Sequence, residues 1–484
     1  MARDGDVFKR ADKRPVLGNV HRVPESGTKT VLIIDDDPVV GLILNRILAR
    51  NGWRVLDAKD GEAGLKLAGE HRPDLVICDL LMPRSNGFVV CRTLRQDTAY
   101  TPRIIVTTTS AYESDRNSAL DSGADAFFIK PVAPKPFLKI VKRVMSSKRA
   151  HTKKSSVRKR RTSKPVVQRL KGDGSTTVRF WGVRGSIPTP GPATAHYGGN
   201  TTCVEVRADG EVIVLDAGTG IRDLGLALQK EAAGRPVRAS LLITHTHWDH
   251  IQGFPFFIPA YHPQNEVQVF GYEGARQGLE AVFSSQMENP YFPVSLEQMP
   301  GHVKIREQRG MEFAIGKVKV KAAFVNHPGI CVAYRLESRA GTVVFAPDYE
   351  PFSRFKLHSM GAATSSAEMI HDFVHQQDQK MVEFIRGADV LIMDAQYDTE
   401  EYRHHVGWGH SCVEDTVATA IDADVKRLYL FHHDPGHDDR KIHAMVAEAK
   451  RLVKRAGAKL IVEGAREGAT CVLKPSKQPA NRGV

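Results

Sequence analysis

A chain of 484 residues, 42% hydrophobic and 25% charged, is long enough for two or three domains with their own cores. No run approaches the roughly 20 consecutive apolar residues of a membrane span, and Met1–Arg22 is polar with no apolar signal-like stretch, so the expectation is a cytoplasmic protein without membrane contact. The six cysteines form no Cys-x-x-Cys pair, which points to free thiols rather than a disulfide framework.

From residue 29 the chain reads as apolar strand, polar turn and amphipathic helix in repetition. Val31-Leu32-Ile33-Ile34 ends in Asp35-Asp36-Asp37, after which Val40, Ile43, Leu44, Ile47 and Leu48 recur at helical spacing. Leu75-Val76-Ile77-Cys78 ends in Asp79, Ile104-Ile105-Val106 in Thr107-Thr108, and Ala126-Phe127-Phe128-Ile129 in Lys130-Pro131. Continuous apolar runs alternating with helices predict a parallel sheet, whose functional groups gather beyond the carboxyl ends of its strands. Asp35, Asp36 and Asp79 together suit a hard cation such as Mg2+. A hydroxyl from Thr108 or Thr107 and the ammonium of Lys130 can grip a phosphoryl group on Asp79.

These residues resemble the response-regulator receiver domain, with Asp-Asp after the first strand, Asp79-Leu80-Leu81-Met82-Pro83 at the acceptor, and Gly123-Ala124-Asp125 leading into Lys130-Pro131. The resemblance covers about residues 29–147 and implies a flavodoxin-like, doubly wound α/β domain. It also implies Asp79 as phosphoacceptor for a histidine kinase or phosphotransfer protein, Asp35 and Asp36 as Mg2+ ligands, and a cis Lys130–Pro131 bond. Two departures stand. The run Thr107-Thr108-Thr109-Ser110 leaves the switch hydroxyl open by one position, with spacing to Lys130 favouring Thr108, and the switch aromatic is Phe127, a ring without a hydroxyl.

Between Lys142 and Lys171 lie thirteen basic residues and no acid, and outside this segment 55 basic residues face 55 acidic ones. The whole positive excess therefore sits in a Ser- and Thr-rich stretch without apolar periodicity, read as a solvated, self-repelling linker over residues 148–174. Contact with nucleic acid is a second reading of the same charges, although no aromatic side chain interleaves with them to stack on bases. Tails at 1–28 and 476–484 flank the two domains, the second of which is set at 175–475.

In that second domain the apolar run Ala239-Ser240-Leu241-Leu242-Ile243 leads into Thr244-His245-Thr246-His247-Trp248-Asp249-His250. His245 and His247 can converge on one cation from an extended backbone, and Asp249 and His250 face a second position further round the turn. Further strands deliver Asp216, His327, Asp348 and His432 at their ends. The Gly218-Thr219-Gly220 turn lacks the third glycine of a dinucleotide fingerprint, because Asp223 stands there. Asp216 is instead placed behind a ligating imidazole as its orienting carboxylate.

This ordered set looks like the metallo-β-lactamase superfamily, matched from about Thr176 to Leu473 and implying an αββα sandwich. The resemblance assigns His245, His247 and His327 to one metal, Asp249, His250 and His432 to a second, and Asp348 to both, with His432 preferred over its neighbour His433. Zn2+ is the expected metal, with Mn2+ or Fe as alternatives for imidazole and carboxylate donors.

Phe180-Trp181-Gly182-Val183-Arg184-Gly185-Ser186, Tyr197-Gly198-Gly199-Asn200-Thr201 and Gly407-Trp408-Gly409-His410-Ser411 are similar to the phosphodiesterase and tRNA 3′-end-processing branch. The resemblance implies a dinuclear hydrolase acting on a phosphodiester, with Asp249 and His410 as catalytic groups and His410 as the acid for the leaving oxygen. Arg184 and Asn200 are read either as substrate contacts or as structural, and Gln286–Pro293 as a lid, a homodimer contact or an ordinary packed loop. The joint reading is a response regulator whose output is a hydrolase. A signalling scaffold or nucleic-acid-binding regulator and a redox diiron domain are the alternatives.

Overall fold

The computed structural model describes residues 28–97, 99–147, 174–274, 277–289, 291–354 and 367–475; the expected tails and nearly all of the basic linker fall outside the described residues. The N-terminal body is a five-stranded parallel sheet in the order Arg54–Ala58, Thr30–Ile34, Leu75–Asp79, Arg103–Thr108, Ala126–Ile129. Its apolar runs are buried because helices cover both faces. Leu32, Ile34, Val76, Phe88 and Leu94 pack on one side, and Val31, Ile33, Leu44, Ile77 and Phe137 on the other. The helix starts are fixed locally. The Asp37 carboxylate accepts from the amides of Val39 and Val40, with Pro38 in the first turn, and Asn86 accepts from Val89. These caps bring the helix N-termini to the strands' carboxyl edge, where Asp35, Asp36, Asp79, Thr108 and Lys130 are found. The Lys130–Pro131 peptide is cis.

The C-terminal body contains two seven-stranded sheets. One runs His302–Glu307, Glu266–Gly271, Arg238–Leu242, Glu211–Leu215, Cys203–Ala208, Thr176–Gly182, Thr470–Leu473. The other runs Glu312–Ile315, Val318–Phe324, Val332–Ser338, Gly341–Ala346, Val390–Asp394, Arg427–Phe431, Ile461–Gly464. Their inner faces share a core of Val178, Phe180, Val206, Tyr334, Phe345 and Phe431. Helices Ile221–Ala232 on one outer face, and Val413–Asp422 and Asp439–Arg455 on the other, bury further apolar layers. This is the αββα sandwich. Strands such as Glu211–Leu215 and Val390–Asp394 are buried at every position because both their faces are covered, whereas Val318–Phe324 near an edge alternates.

The two bodies are docked. Asn86 Nδ2 donates to the Glu273 carbonyl at 2.9 Å, and Arg92 pairs with Glu273 at 2.5 Å. Ile330, Phe324 and Tyr272 of the sandwich join the apolar cluster that contains Met82 and Phe88. Between the bodies lies a cavity of about 300 Å3 lined by Asp36, Asp79 and Lys130 on one side and Asn326 and Lys380 on the other.

Candidate metal centre and phosphoacceptor site

The candidate ligands cluster in the segments that follow strand ends, where the sheet stops and the backbone turns away. His245 and His247 follow Arg238–Leu242, Asp348 follows Gly341–Ala346, and His432 follows Arg427–Phe431 with a left-handed φ of 62°. His245, His247, His327 and Asp348 bring one donor atom each within 4.8 Å of one another, and so do Asp249, His250 and His432. In the first group His247 Nδ1 stands 2.9 Å from His245 Nε2 and 3.1 Å from His327 Nε2. In the second, Asp249 Oδ2 stands 3.2 Å from His250 Nε2 and 3.1 Å from His432 Nε2. Asp348 joins the two groups. Its Oδ2 is 3.7 and 3.5 Å from the Nε2 atoms of His245 and His327, and its Oδ1 is 3.2 and 3.4 Å from those of His250 and His432.

The outward nitrogens of these rings are held by protein. His250 Nδ1 meets Asp216 Oδ2 at 2.7 Å, His432 Nδ1 meets Gln396 Oε1 at 3.0 Å, and His327 Nδ1 donates to the Gly409 carbonyl at 2.8 Å. Such partners fix which nitrogen is free to ligate. Burial holds His245 and His327 well below the ordinary imidazole range, in the neutral form a metal requires. Burial opposes ionisation of Asp348, but the surrounding imidazoles, His250 first, hold its carboxyl well below the usual range. The buried atoms His250 Nε2 and Asp348 Oδ1 make no hydrogen bond although they stand 3.2 Å apart. An orphaned imidazole nitrogen facing an orphaned carboxylate oxygen, with further imidazole nitrogens around the other oxygen of that carboxylate, fits divalent cations.

His410 lies against this group, with its ring stacked 4.8 Å from His432 and edge-on 5.2 Å from His327. Its Nδ1 meets Oδ2 of the fully buried Asp394 at 2.7 Å. Burial resists a charge on His410, but Asp394 outweighs it and holds the imidazole up at about 9. Asp394 also accepts from the amides of Tyr349 and Gln396 at 3.2 and 3.0 Å, so its position is fixed. Sequence reasoning missed Asp394, although Val390-Leu391-Ile392-Met393-Asp394 is the same signal of a buried strand ending in a carboxylate that marked Asp216 and Asp348.

Arg184 is fully buried, and its guanidinium donates to the carbonyls of Gly198, Asp434 and His437 at 2.8, 3.1 and 2.7 Å, tying its own loop to two others, which favours the structural of its two readings. Asn200 is half-buried, accepting from Thr219 and donating to Glu467. His433 turns away, its Nε2 on the Ala465 carbonyl at 2.9 Å, while burial lowers it to about 3. In the 286–293 segment Met287 is buried and Phe292 packs on Phe256 at 5.5 Å, leaving Tyr291 as an exposed ring on a packed loop. Pro290 lies outside the described residues.

At the receiver's edge, Asp35, Asp36 and Asp79 bring carboxylate oxygens within 4.8 Å of one another. Lys130 Nζ bridges Asp35 and Asp79 at 2.9 and 3.1 Å. Burial pushes Asp79 up to about 7, Lys130 opposing and Asp35 and Asp36 reinforcing. That crowding of negative charge is what a divalent cation relieves. Thr108 is buried beside this group and uses its Oγ to accept from the Ser110 amide at 3.0 Å. Phe127, on the edge strand Ala126–Ile129, packs partly buried against the apolar cluster of one face.

The fold and these two sites define the class of protein. The chain carries a response regulator receiver domain, matched over residues 31–142, and a beta-lactamase superfamily domain, matched over residues 211–433. Over 117 residues it is 35% identical to the alkaline phosphatase synthesis transcriptional regulatory protein PhoP of Bacillus subtilis (strain 168), a match that covers 24% of this chain and 48% of that protein. It spans about half the length of the curated relatives it matches. Among solved structures, the metallo-beta-lactamase fold protein YhfI from Bacillus subtilis aligns with 62% of this chain and 100% of its own, at 16% identity and a TM-score of 0.42. Human tRNase Z, short form, aligns with 62% of this chain and 99% of its own, at 17% identity and a TM-score of 0.41. Among the described residues no helix is long and apolar enough to cross a membrane.

Proposed function

We propose that the C-terminal domain is a dinuclear metal-dependent phosphodiesterase and that phosphorylation of Asp79 in the N-terminal domain controls it. The observation that carries the reading is Asp348 standing between two donor groups, with the His410–Asp394 pair against the same cluster. His245, His247 and His327 would hold one cation, Asp249, His250 and His432 the other, and Asp348 both. The donor set suits Zn2+, with Mn2+ or Fe as alternatives. Two divalent cations bound there supply water activation and neutralise charge on a phosphoryl group.

The chain's own groups do the rest. Asp394 fixes the His410 tautomer and stabilises its cation, which leaves Nε2 to deliver a proton to the departing oxygen. The Ser186 amide donates to Asp249 Oδ2 at 2.8 Å and holds that carboxylate in place. Asp216, anchored by the Thr244 amide at 2.7 Å, orients His250. In the receiver, a carboxylate oxygen of Asp79 takes phosphorus from a phosphohistidine donor, forming an acyl phosphate as the N–P bond breaks. Asp35 and Asp36 would hold Mg2+, which would offset the added charge beside the ammonium of Lys130.

The test is hydrolysis of bis-(p-nitrophenyl) phosphate by full-length protein carrying quantified metal, beside His247→Ala, with Asp79 phosphorylated or not. Activity that tracks metal, is lost in His247→Ala and changes with phosphorylation is expected. Two bound metals per chain without hydrolysis would overturn the enzymatic half, and hydrolysis indifferent to Asp79 would overturn the regulatory half.

A further inference from the structure

The loops that carry His327 and His410 are also where the receiver touches the sandwich. Resting on the reading above for the identity of the site, we propose that Glu350 is a positioning residue through which the receiver sets the placement of His327 and His410. Its carboxylate is shared between the backbone of Gly407 and Gly409 and the receiver's own Tyr112.

Glu350 is fully buried, and a buried carboxylate persists only where donors surround it. Its Oε1 accepts from Tyr402 Oη at 2.6 Å and the Gly407 amide at 2.7 Å, and its Oε2 accepts from the Gly409 amide at 2.9 Å and Tyr112 Oη at 3.2 Å. Three of these donors belong to the sandwich. The fourth comes from the receiver. Gly409 then carries the effect onward, because its carbonyl holds His327 Nδ1 and the next residue is His410. There is no slack at this point. Gly409 has φ +89°, and a Cβ on it would lie 2.4 Å from Pro328 Cδ and 2.5 Å from His327 Nδ1. The main chain of Glu350 is likewise tied to the residue before His327, its amide donating to the Asn326 carbonyl at 2.9 Å while Asn326 Nδ2 donates to the Glu350 carbonyl at 2.8 Å.

A second strut comes from the same receiver segment. Asp115 Oδ1 accepts from the Gly329 amide at 2.8 Å, two residues beyond His327, and its Oδ2 accepts from Ser110 Oγ. Ser110 donates its amide to Thr108 Oγ, at the end of the strand beside Asp79. A phosphoryl group on Asp79 adds oxygens that need donors, and a Thr108 side chain that turns to donate its hydroxyl to them moves the Oγ on which the Ser110 amide rests. Residues 108–115 thus connect the strand end beside Asp79 to both catalytic loops through a continuous series of hydrogen bonds.

The experiment is amide hydrogen exchange on the full-length, metal-loaded chain with and without Mg2+ and beryllofluoride, a phosphoryl mimic, in the wild type and Tyr112→Phe. Exchange at Gly329, Gly407 and Gly409 should change by about tenfold on beryllofluoride binding in the wild type, as expected for one hydrogen bond to a charged group gained or lost, and by less than about twofold at Gly407 and Gly409 in the variant. No response in the wild type, or an equal response at Gly407 and Gly409 in Tyr112→Phe, would overturn the inference. The readout does not need turnover. An exchange response without bis-(p-nitrophenyl) phosphate hydrolysis sustains the coupling while the hydrolase reading fails. Phosphorylation-dependent hydrolysis with silent glycine amides does the reverse.

Discussion

Replacing Asp216 by Asn tests whether the second cation position depends on a residue that touches no metal. The carboxylate is fully buried, with Oδ2 at 2.7 Å from His250 Nδ1 and Oδ1 at 2.7 Å from the Thr244 amide, while Thr244 Oγ lies 2.9 Å from Oδ2. An amide of the same shape has one oxygen for two such donors. With its oxygen toward His250, its NH2 opposes the Thr244 N–H; flipped, it opposes the imidazole. Either way one buried donor loses its acceptor, at a cost of about 1–3 kcal/mol. The charge-assisted hold on the His250 tautomer is lost as well. Removing such a partner typically weakens metal binding about 10- to 100-fold, or roughly 1.4–2.7 kcal/mol. His250 belongs to one donor group only, so the loss should be selective. In a chelator competition with metal counted per chain, Asp216→Asn should drop from two metals to one at a chelator concentration about 10- to 100-fold lower than the wild type, while retaining the first. Unchanged release of both metals would refute the reasoning.

Asp394→Asn removes the partner that holds His410 up at about 9 against burial, so the alkaline fall of kcat should begin more than about one pH unit earlier than in the wild type, with metal content unchanged; superimposable pH profiles would exclude His410 as the acid. For Asp79 the sign runs the other way. Its folded value is raised by burial to about 7, above the roughly 3.9 of an unfolded chain, so its contribution to stability is fully present below about pH 4 and lost as pH rises through about 7. Without Mg2+, Asp79→Asn should therefore gain on the wild type in urea midpoint between pH 5 and pH 8, and a gap that does not widen would contradict this. Gly409→Ala forces a Cβ into Pro328 and His327 and should cost metal as well as activity, whereas Gly329→Ala, also at positive φ but with nothing within 4 Å, should lose only about 1 kcal/mol of stability; metal analysis of the two proteins distinguishes them. Arg309→Ala breaks an ion pair with Glu62 that is largely exposed on both sides and should shift domain docking by less than about 1 kcal/mol, read as an unchanged beryllofluoride response.

What was legible in the chain follows from how locally each residue's role is determined. His245, His247, Asp249 and His250 fall within six consecutive residues shortly after a strand end, and Asp79 ends a run of four apolar residues. Strand-plus-acid or strand-plus-imidazole is visible without the fold, because a sheet in an α/β protein places those ends on one edge. Arg184 could not be settled in this way. Its three acceptors lie 14, 250 and 253 residues away, so no local pattern distinguishes an arginine that reaches substrate from one that ties loops together. Glu350 is harder still. It follows Asp348 by two residues and reads as part of a polar turn, and only the fold brings it the hydroxyl of Tyr112 from 238 residues upstream.

The same separation explains why the two domains meet where they do. Both gather their chemistry at strand carboxyl edges, the receiver at Asp79 and the sandwich at His327 and Asp348, and docking sets one edge against the other across a cavity that Asp79 and Asn326 share. A coupling path between such edges needs few residues and no rearrangement of either core. Its capacity is set by what the contact is worth. A hydrogen bond from a neutral hydroxyl to a buried carboxylate contributes about 1.5–3 kcal/mol, which bounds the effect of Tyr112 on the catalytic loops at roughly 10- to 150-fold. The exposed pair Arg309–Glu62, at most about 1 kcal/mol, cannot supply that range. A phosphorylation effect on kcat far above 150-fold would therefore require a second route, and the Asp115–Gly329 strut offers one.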